Sequence, residues 1–238
     1  MHLVGENGRY RIRENESYGS FAYRVLRDRI MKLDLPPSTP IVEGEIAELL
    51  QISRTPVHEA VMRLRDETLI DILPRKESRV SKIDLARVND GLFIRTCIEP
   101  ELILISMGNL STSLMHRMLL NINEQQRVLA AGNPLNEFNE IDDEFHMLLY
   151  YAANRGNAYA QIRKMTTHFD RVRYLARREG EFEEIDRQSY EEHRQIFCAV
   201  AYRSQLPTDA HSMIRNHVTR FQNRMDILVE RYSDYFHI

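Results

Sequence analysis

Asp142 and His146 stand four residues apart, so on a helix a carboxylate and an imidazole project from one face, shared with Phe138, Phe145 and Leu149. His193 falls on a second such stripe with Tyr190, Phe197 and Val200. His217 falls on a third with Ile214, Phe221 and Leu228. Imidazole nitrogens and a carboxylate on core-facing stripes are the donor set of a divalent cation inside a helical bundle. Zn²⁺ or Ni²⁺ suits them first, then Mn²⁺ or Co²⁺. A single histidine on an apolar stripe is more often a hydrogen-bonded core residue. Three of them with an i, i+4 aspartate weaken that bland account, although the sequence alone does not make them converge. His2, His116, His168, His211 and His237 fall on no such stripe, and no role is read into them.

A second group is suited to reading nucleic acid. Arg54 and Thr55 open a short helical run that continues through His58 to Arg65, and Arg75, Lys76 and Arg79 lie on the hairpin that follows. An arginine in the first turn of a recognition helix can bind guanine O6 and N7 together, worth about 1–3 kcal/mol of discrimination between bases. Basic residues on a hairpin lie along phosphate or the minor groove. Taken singly, each arginine reads equally well as a solvated helix charge.

The elements that must position these groups follow from periodicity and punctuation. Residues 1–18 lack a pattern and read as a flexible arm. From Ser20, Phe21, Val25, Leu26, Ile30 and Leu33 make a 3.6-residue stripe that stops at Leu35-Pro36-Pro37. A second helix fits Glu43 to Leu50 with its turn at Gln51-Ile52, and Ser53 is an N-cap candidate for a third, in which Val57, Val61 and Leu64 face inward. Two short strand-like runs, Leu69 to Leu73 and Arg79 to Ile83, complete a winged helix-turn-helix over 19–83. From Asp84 to the end the pattern is helical: 84–107, 111–131, 134–153, 157–178, 182–203 and 207–234. Breaks fall at Gly108, Gly132 to Pro134, Gly156, Gly180 and Pro207, and Pro100 is expected to kink or split the first helix. The expected fold is therefore mainly α: a three-helix head with a β-hairpin wing, and over 84–238 an antiparallel bundle of six or seven helices.

Bulk composition narrows the setting. The 238 residues contain no apolar run long enough to span a bilayer, and Met1 to Ser20 is too polar for a secretory signal. Cys97 and Cys198 are isolated and read as free thiols of a reducing compartment, so a cytoplasmic location is expected. Residues 19–83 carry 11 basic against 10 acidic side chains, and 84–238 carry 18 against 22. A general basic footprint is thus excluded, and the case for DNA rests on where the arginines lie.

Residues Ile46 to Leu64, with Ser53-Arg54-Thr55-Pro56-Val57 at their centre, closely resemble the signature of the GntR family of bacterial regulators. Leu35-Pro36-Pro37 before them and Ile72-Leu73-Pro74-Arg75 after them resemble it too. The chain departs from that pattern at Gly44 and His58, where the family often has arginine, and at Glu77, where the wing tip is usually glycine. Farther on, Arg95 to Glu99, Asp142-x-x-Phe145-His146, Glu192-His193-Arg194 and His217 resemble the FCD ligand-binding domain of the FadR subfamily. That resemblance implies a metal held by Asp142, His146, His193 and His217, a small carboxylate effector completing its coordination, and Arg95 helping to hold the effector. Its stripe neighbours Leu92 and Leu102 point Arg95 inward, and a salt bridge to Glu99, one turn later, is the alternative to an effector contact. It further implies a homodimer on a palindromic operator, acting as a repressor and not as an enzyme. Two rivals remain: a repressor answering to metal alone, and a metal-dependent enzyme that activates water, for which no separate base or nucleophile is evident.

Overall fold

The computed structural model describes residues 10–73, 77–132, 137–178, 183–220, 222 and 225–237. They fall into two compact units, one of residues 1–86 with 229–238 and one of residues 87–228. The expected boundary at 83/84 lies close to the first division; the assignment of the last ten residues to the head was not foreseen.

In the head, α1 (Tyr18–Met31), α2 (Glu43–Leu50) and α3 (Arg54–Asp66) surround one apolar core. The stripe of α1 (Ala22, Leu26, Ile30) packs against Val57, Ala60, Val61 and Leu64 of α3, all 0% exposed. Burying each of the larger of these side chains contributes roughly 1.5–3 kcal/mol. Ser17 caps α1 by accepting from the Ser20 N–H. The expected arm is described only from residue 10, and there it is fastened: Arg24 pairs with Glu16 at 2.7 Å, and the Arg29 guanidinium lies over the Tyr10 ring. Gln51 ends α2 in the left-handed region, φ 58°, which makes the turn between α2 and α3. Ser53 has the extended backbone of an N-cap, but its side chain makes no capping hydrogen bond, contrary to the cap expected there.

The wing is a three-stranded sheet in the order β1–β3–β2: β1 (Pro40–Ile41), β2 (Ile70–Asp71) and β3 (Ser78–Val80). All pairings are antiparallel, with Ile41 opposite Ser78 and Ile70 opposite Val80. Pro40 is tolerated because β1 is an edge strand. Ile83, expected to extend the hairpin, belongs instead to β4 (Ile83–Asp84), which pairs in parallel with β5 (Phe236–His237) at the other end of the chain.

The second unit is helical: α4 (Leu85–Ser106), α5 (Thr112–Ala130), α6 (Glu137–Ala152), α7 (Gly156–Met165), α8 (Thr167–Arg178), α9 (Glu183–Tyr202), α10 (Ala210–Thr219) and α11 (Met225–Arg231). Pro100 does not split α4, which runs unbroken through it. The pattern over 157–178 divides at Thr166 into α7 and α8, and that over 207–234 divides into α10 and α11. The breaks anticipated at Pro134 and Gly180 lie outside the described residues, as does Phe221. Gly91 lets α4 approach α8 closely, since a Cβ there would lie 3.0 Å from Phe169 Cβ. Although α8 carries four arginines, an aspartate and a histidine among its twelve residues, Thr167 to Arg177 are all buried. No helix among the described residues is long and apolar enough to cross a membrane.

Candidate metal centre and DNA-reading surface

The three stripes named from sequence converge. Asp142 and His146 on α6, His193 on α9 and His217 on α10 are all buried, and one donor atom from each lies within 4.8 Å of the others. His217 Nε2 is 3.1 Å from His146 Nε2 and 3.3 Å from His193 Nε2. Asp142 oxygens lie 3.9 Å from His146 Nε2 and 3.8 Å from His193 Nε2. Two nitrogens bound tetrahedrally to one Zn²⁺ are about 3.3 Å apart, given Zn–N bonds of roughly 2.0–2.1 Å. The spacing therefore suits a small cation.

The far side of each imidazole decides the protonation. His193 Nδ1 faces Gln125 Oε1 at 2.9 Å, and His217 Nδ1 faces the Glu192 carboxylate at 2.8 Å. His146 Nδ1 lies 3.0 Å from Glu99 Oε2, at hydrogen-bond distance but off the favoured direction. The Gln125 amide is oriented in turn: its Nε2 donates to Asn121 Oδ1 at 2.7 Å, and Asn121 Nδ2 donates to the Ile141 carbonyl at 2.9 Å. For His193 and His217 these oxygens accept, so their protons sit on Nδ1 and their Nε2 lone pairs face one another. Burial drives His193 well below the ordinary imidazole range, with His217 adding to it. Burial also lowers His217, against the pull of Glu192. Neutral rings with opposed lone pairs are a poor arrangement by themselves and a good one around a cation. Phe145 stacks on His193 at 4.0 Å between centroids and fixes its plane.

Asp142 stays ionised. Burial alone would raise its pKa, but the Arg173 guanidinium beside it holds it well below the usual carboxylate range. Arg173 on α8 bonds Asp142 directly and Asp143 at 2.7 Å. Arg95 points inward as anticipated, yet it is engaged: its Nε donates to Glu99 at 2.6 Å. Burial would raise Glu99 too, but the Arg95 guanidinium bonded to it overcomes that and holds the carboxyl below its usual range. A cavity of about 30 Å³, room for a water or a small polar group, opens beside Asp142 and His217 and is lined by Arg95, Arg173, Arg177 and Arg220. Sequence reasoning missed Gln125, Arg173, Arg177 and Arg220. The alternation of Asp170, Arg173 and Arg177 on one helical face was the available signal, but so charged a helix reads as solvated.

On the head, Arg54, Thr55, His58 and Arg65 are exposed on α3 and Arg79 is exposed on β3. Arg54 lies against α2: a Cβ on Gly44 would come within 3.0 Å of its Nη2, so a larger residue at 44 would compete with Arg54 for that space. His58 Nδ1 meets Glu43 at 2.9 Å, Arg65 pairs with Asp66 at 2.7 Å, and Arg79 pairs with Glu77 at 2.7 Å. Arg75 and Lys76 lie outside the described residues.

Residues 19–80 match the gntR family of bacterial regulatory proteins, and residues 90–220 match the FCD domain. This chain belongs to the GntR family and carries an FCD domain. The GntR chain is 36% identical over 154 residues to the HTH-type transcriptional repressor RspR of Escherichia coli, covering 65% of this chain and 67% of that one. A relative from Streptomyces ambofaciens, an HTH-type regulator in an unstable DNA locus, is 31% identical over 75% of this chain and 73% of its own. Among solved structures, McbR/YncC of E. coli superposes with a TM-score of 0.71 at 18% identity, covering 91% of this chain and 99% of that one. A GntR regulator from Rhodococcus gives 0.60 at 17% identity, covering 90% and 98%. At such identities these two speak for the fold alone. Together these matches make the GntR protein a transcriptional regulator and not an enzyme.

Proposed function

We propose that this regulator is a metal- and effector-responsive repressor of the FadR type. On this reading Asp142, His146, His193 and His217 hold a divalent cation, Zn²⁺ or Ni²⁺ before Mn²⁺ or Co²⁺. The observation that carries it is the convergence of three imidazole Nε2 atoms, two of them backed by an acceptor on Nδ1, around one buried carboxylate held in its ionised form by Arg173. A bound cation would remove the lone-pair opposition and supply an open position for an anionic ligand. A small carboxylate entering the adjoining cavity would meet Arg95, Arg173 and Arg220. Each of these already has a carboxylate partner, so the effector exchanges partners with Glu99, Asp142 or Glu192 instead of neutralising a bare cation. That exchange gives the site two discrete arrangements, which a ligand-driven shift requires.

On the head, Arg54 and Thr55 read base edges, Arg75, Lys76 and Arg79 lie along phosphate or the minor groove, and His58 and Arg65 belong to the same DNA-binding surface. Each chain offers one recognition helix, so two copies address the half-sites of a palindrome in the cytoplasm. The test is direct. Elemental analysis of the purified protein should find about one divalent metal per chain, lost in His146→Ala and His217→Ala. A metal-free wild type, or an effector response that survives both substitutions, would remove the metal from the mechanism. The narrower alternative, metal alone as signal, is separated by titrating small carboxylates into the Ni²⁺-loaded protein on DNA.

A further inference from the structure

The first turn of α2 backs the outward face of α3. Arg54 and His58 are four residues apart on α3 and so share one face, and each meets one of two adjacent residues of α2. Gly44 leaves the room that the Arg54 guanidinium takes, and Glu43 Oε1 lies 2.9 Å from His58 Nδ1. Glu43 opens α2, where the free N–H groups of the first turn favour a carboxylate. The His58 side chain is nevertheless 59% exposed, so the ring edge turned away from Glu43 remains open to whatever α3 meets.

A carboxylate oxygen only accepts, so the ring nitrogen facing Glu43 carries the hydrogen. In a neutral imidazole the other nitrogen then has a lone pair and no hydrogen. Turning the ring over exchanges the two nitrogens and changes nothing: the one beside Glu43 donates and the outer one accepts. Arginine at this place would be a donor and nothing else. We propose that Glu43 is a positioning residue that presents His58 to the major groove as a hydrogen-bond acceptor. The operator position beneath His58 is then read by its amino group, adenine N6 or cytosine N4, against the keto oxygens of guanine O6 and thymine O4. Arg54, a donor, reads guanine on the same face, so α3 carries two neighbouring readers of opposite hydrogen-bonding sense. This rests on the DNA-reading function proposed for α3 and names the chemistry of one base it selects.

Selection of random double-stranded DNA by the full-length protein at about pH 8, above the ordinary imidazole pKa of about 6.5, tests this. The proteins compared are the wild type, His58→Ala, Glu43→Gln, Glu43→Lys and Arg54→Ala. The position read by His58 is the one that loses its preference in His58→Ala. There the wild type should favour adenine or cytosine about fivefold over guanine or thymine, as one ordinary hydrogen bond would. Lysine has donors only, so Glu43→Lys moves the hydrogen to the outer nitrogen and should turn the preference to guanine or thymine. A glutamine amide serves either tautomer, and Glu43→Gln should leave less than about a twofold bias. The guanine position lost in Arg54→Ala should persist in the other three variants, which shows that their heads fold and bind. A wild-type preference for guanine or thymine beneath His58 overturns the acceptor. An amino preference undiminished in Glu43→Lys overturns the role of Glu43. Should His58→Ala flatten no position while Arg54→Ala flattens one, His58 reads no base and the DNA-reading function stands. If neither flattens one, the reading of α3 itself falls, and this proposal with it.

Discussion

Replacing Gln125 with leucine isolates the part of the candidate centre that touches no metal. In the wild type its Oε1 accepts from His193 Nδ1 at 2.9 Å, and the Asn121 hydrogen bond at 2.7 Å stops the amide from turning over. Leucine has similar bulk but no acceptor. The buried Nδ1–H then either stays orphaned, costing about 1–3 kcal/mol, or the proton moves to Nε2. In that second tautomer His193 donates to His217 Nε2, 3.3 Å away, and the metal-free state acquires a hydrogen bond that a cation must break. Both routes weaken metal binding, and lost outer partners of this kind typically cost 10–100-fold in affinity, or roughly 1.4–2.7 kcal/mol. Competition against a chromophoric chelator should therefore show the Zn²⁺ or Ni²⁺ Kd rising by that factor in Gln125→Leu. Gln125→Glu, with a charged acceptor at the same place, should match the wild type or bind more tightly. A leucine variant with native helicity and a Kd within twofold of the wild type would refute the claim that Gln125 sets the His193 tautomer.

Four further outcomes are expected. Loading the protein with metal at about 100 times its Kd should add about 2.7 kcal/mol to the stability of the unit that holds it; at roughly 2–4 °C per kcal/mol, calorimetry should find Tm higher by about 5–11 °C, and no rise in His193→Ala. Glu77→Gly should release Arg79 from its 2.7 Å pairing and strengthen DNA binding generally, steepening the salt dependence by about 0.9 in log–log slope as Arg79 neutralises one further phosphate. Arg54→Ala should cost about 1–3 kcal/mol on the operator but almost nothing on a copy mutated at the guanine it reads; equal losses on both would make Arg54 a phosphate-binding residue. Gly44→Arg should displace the Arg54 guanidinium from α2 and change which base is preferred, read by selection from a random DNA pool.

The legible parts of the chain were those where periodicity carries the information. The stripe of α1, the bounds of α2 and the inward facing of the four donors, though not their convergence, could be read because apolar spacing names a buried face, and a polar residue on that face is conspicuous. The wing was half legible: Ile70 and Val80 announce a hairpin, but two residues of β1 carry no pattern, and nothing near Ile83 points to Phe236 at the far end of the chain. The plainest failure is α8. Asp170, Arg173 and Arg177 are held by ion pairs inside the bundle, so composition points outward while ion pairing holds that face inward. Arg95 lies between these cases: its inward direction follows from Leu92 and Leu102, whereas its engagement with Glu99 depends on distances that spacing does not fix.

The acidic wing tip has a consequence for how such a regulator finds its site. A chromosome offers about 10⁶–10⁹ competing non-specific positions, and the attraction to each grows with every phosphate the protein neutralises. If the wing meets phosphate as proposed, Glu77 holding Arg79 would shorten each stay on decoy sequence and so the stretch scanned in one visit. On the same proposal, fewer molecules would be held by the rest of the chromosome, and more would be free to reach an operator.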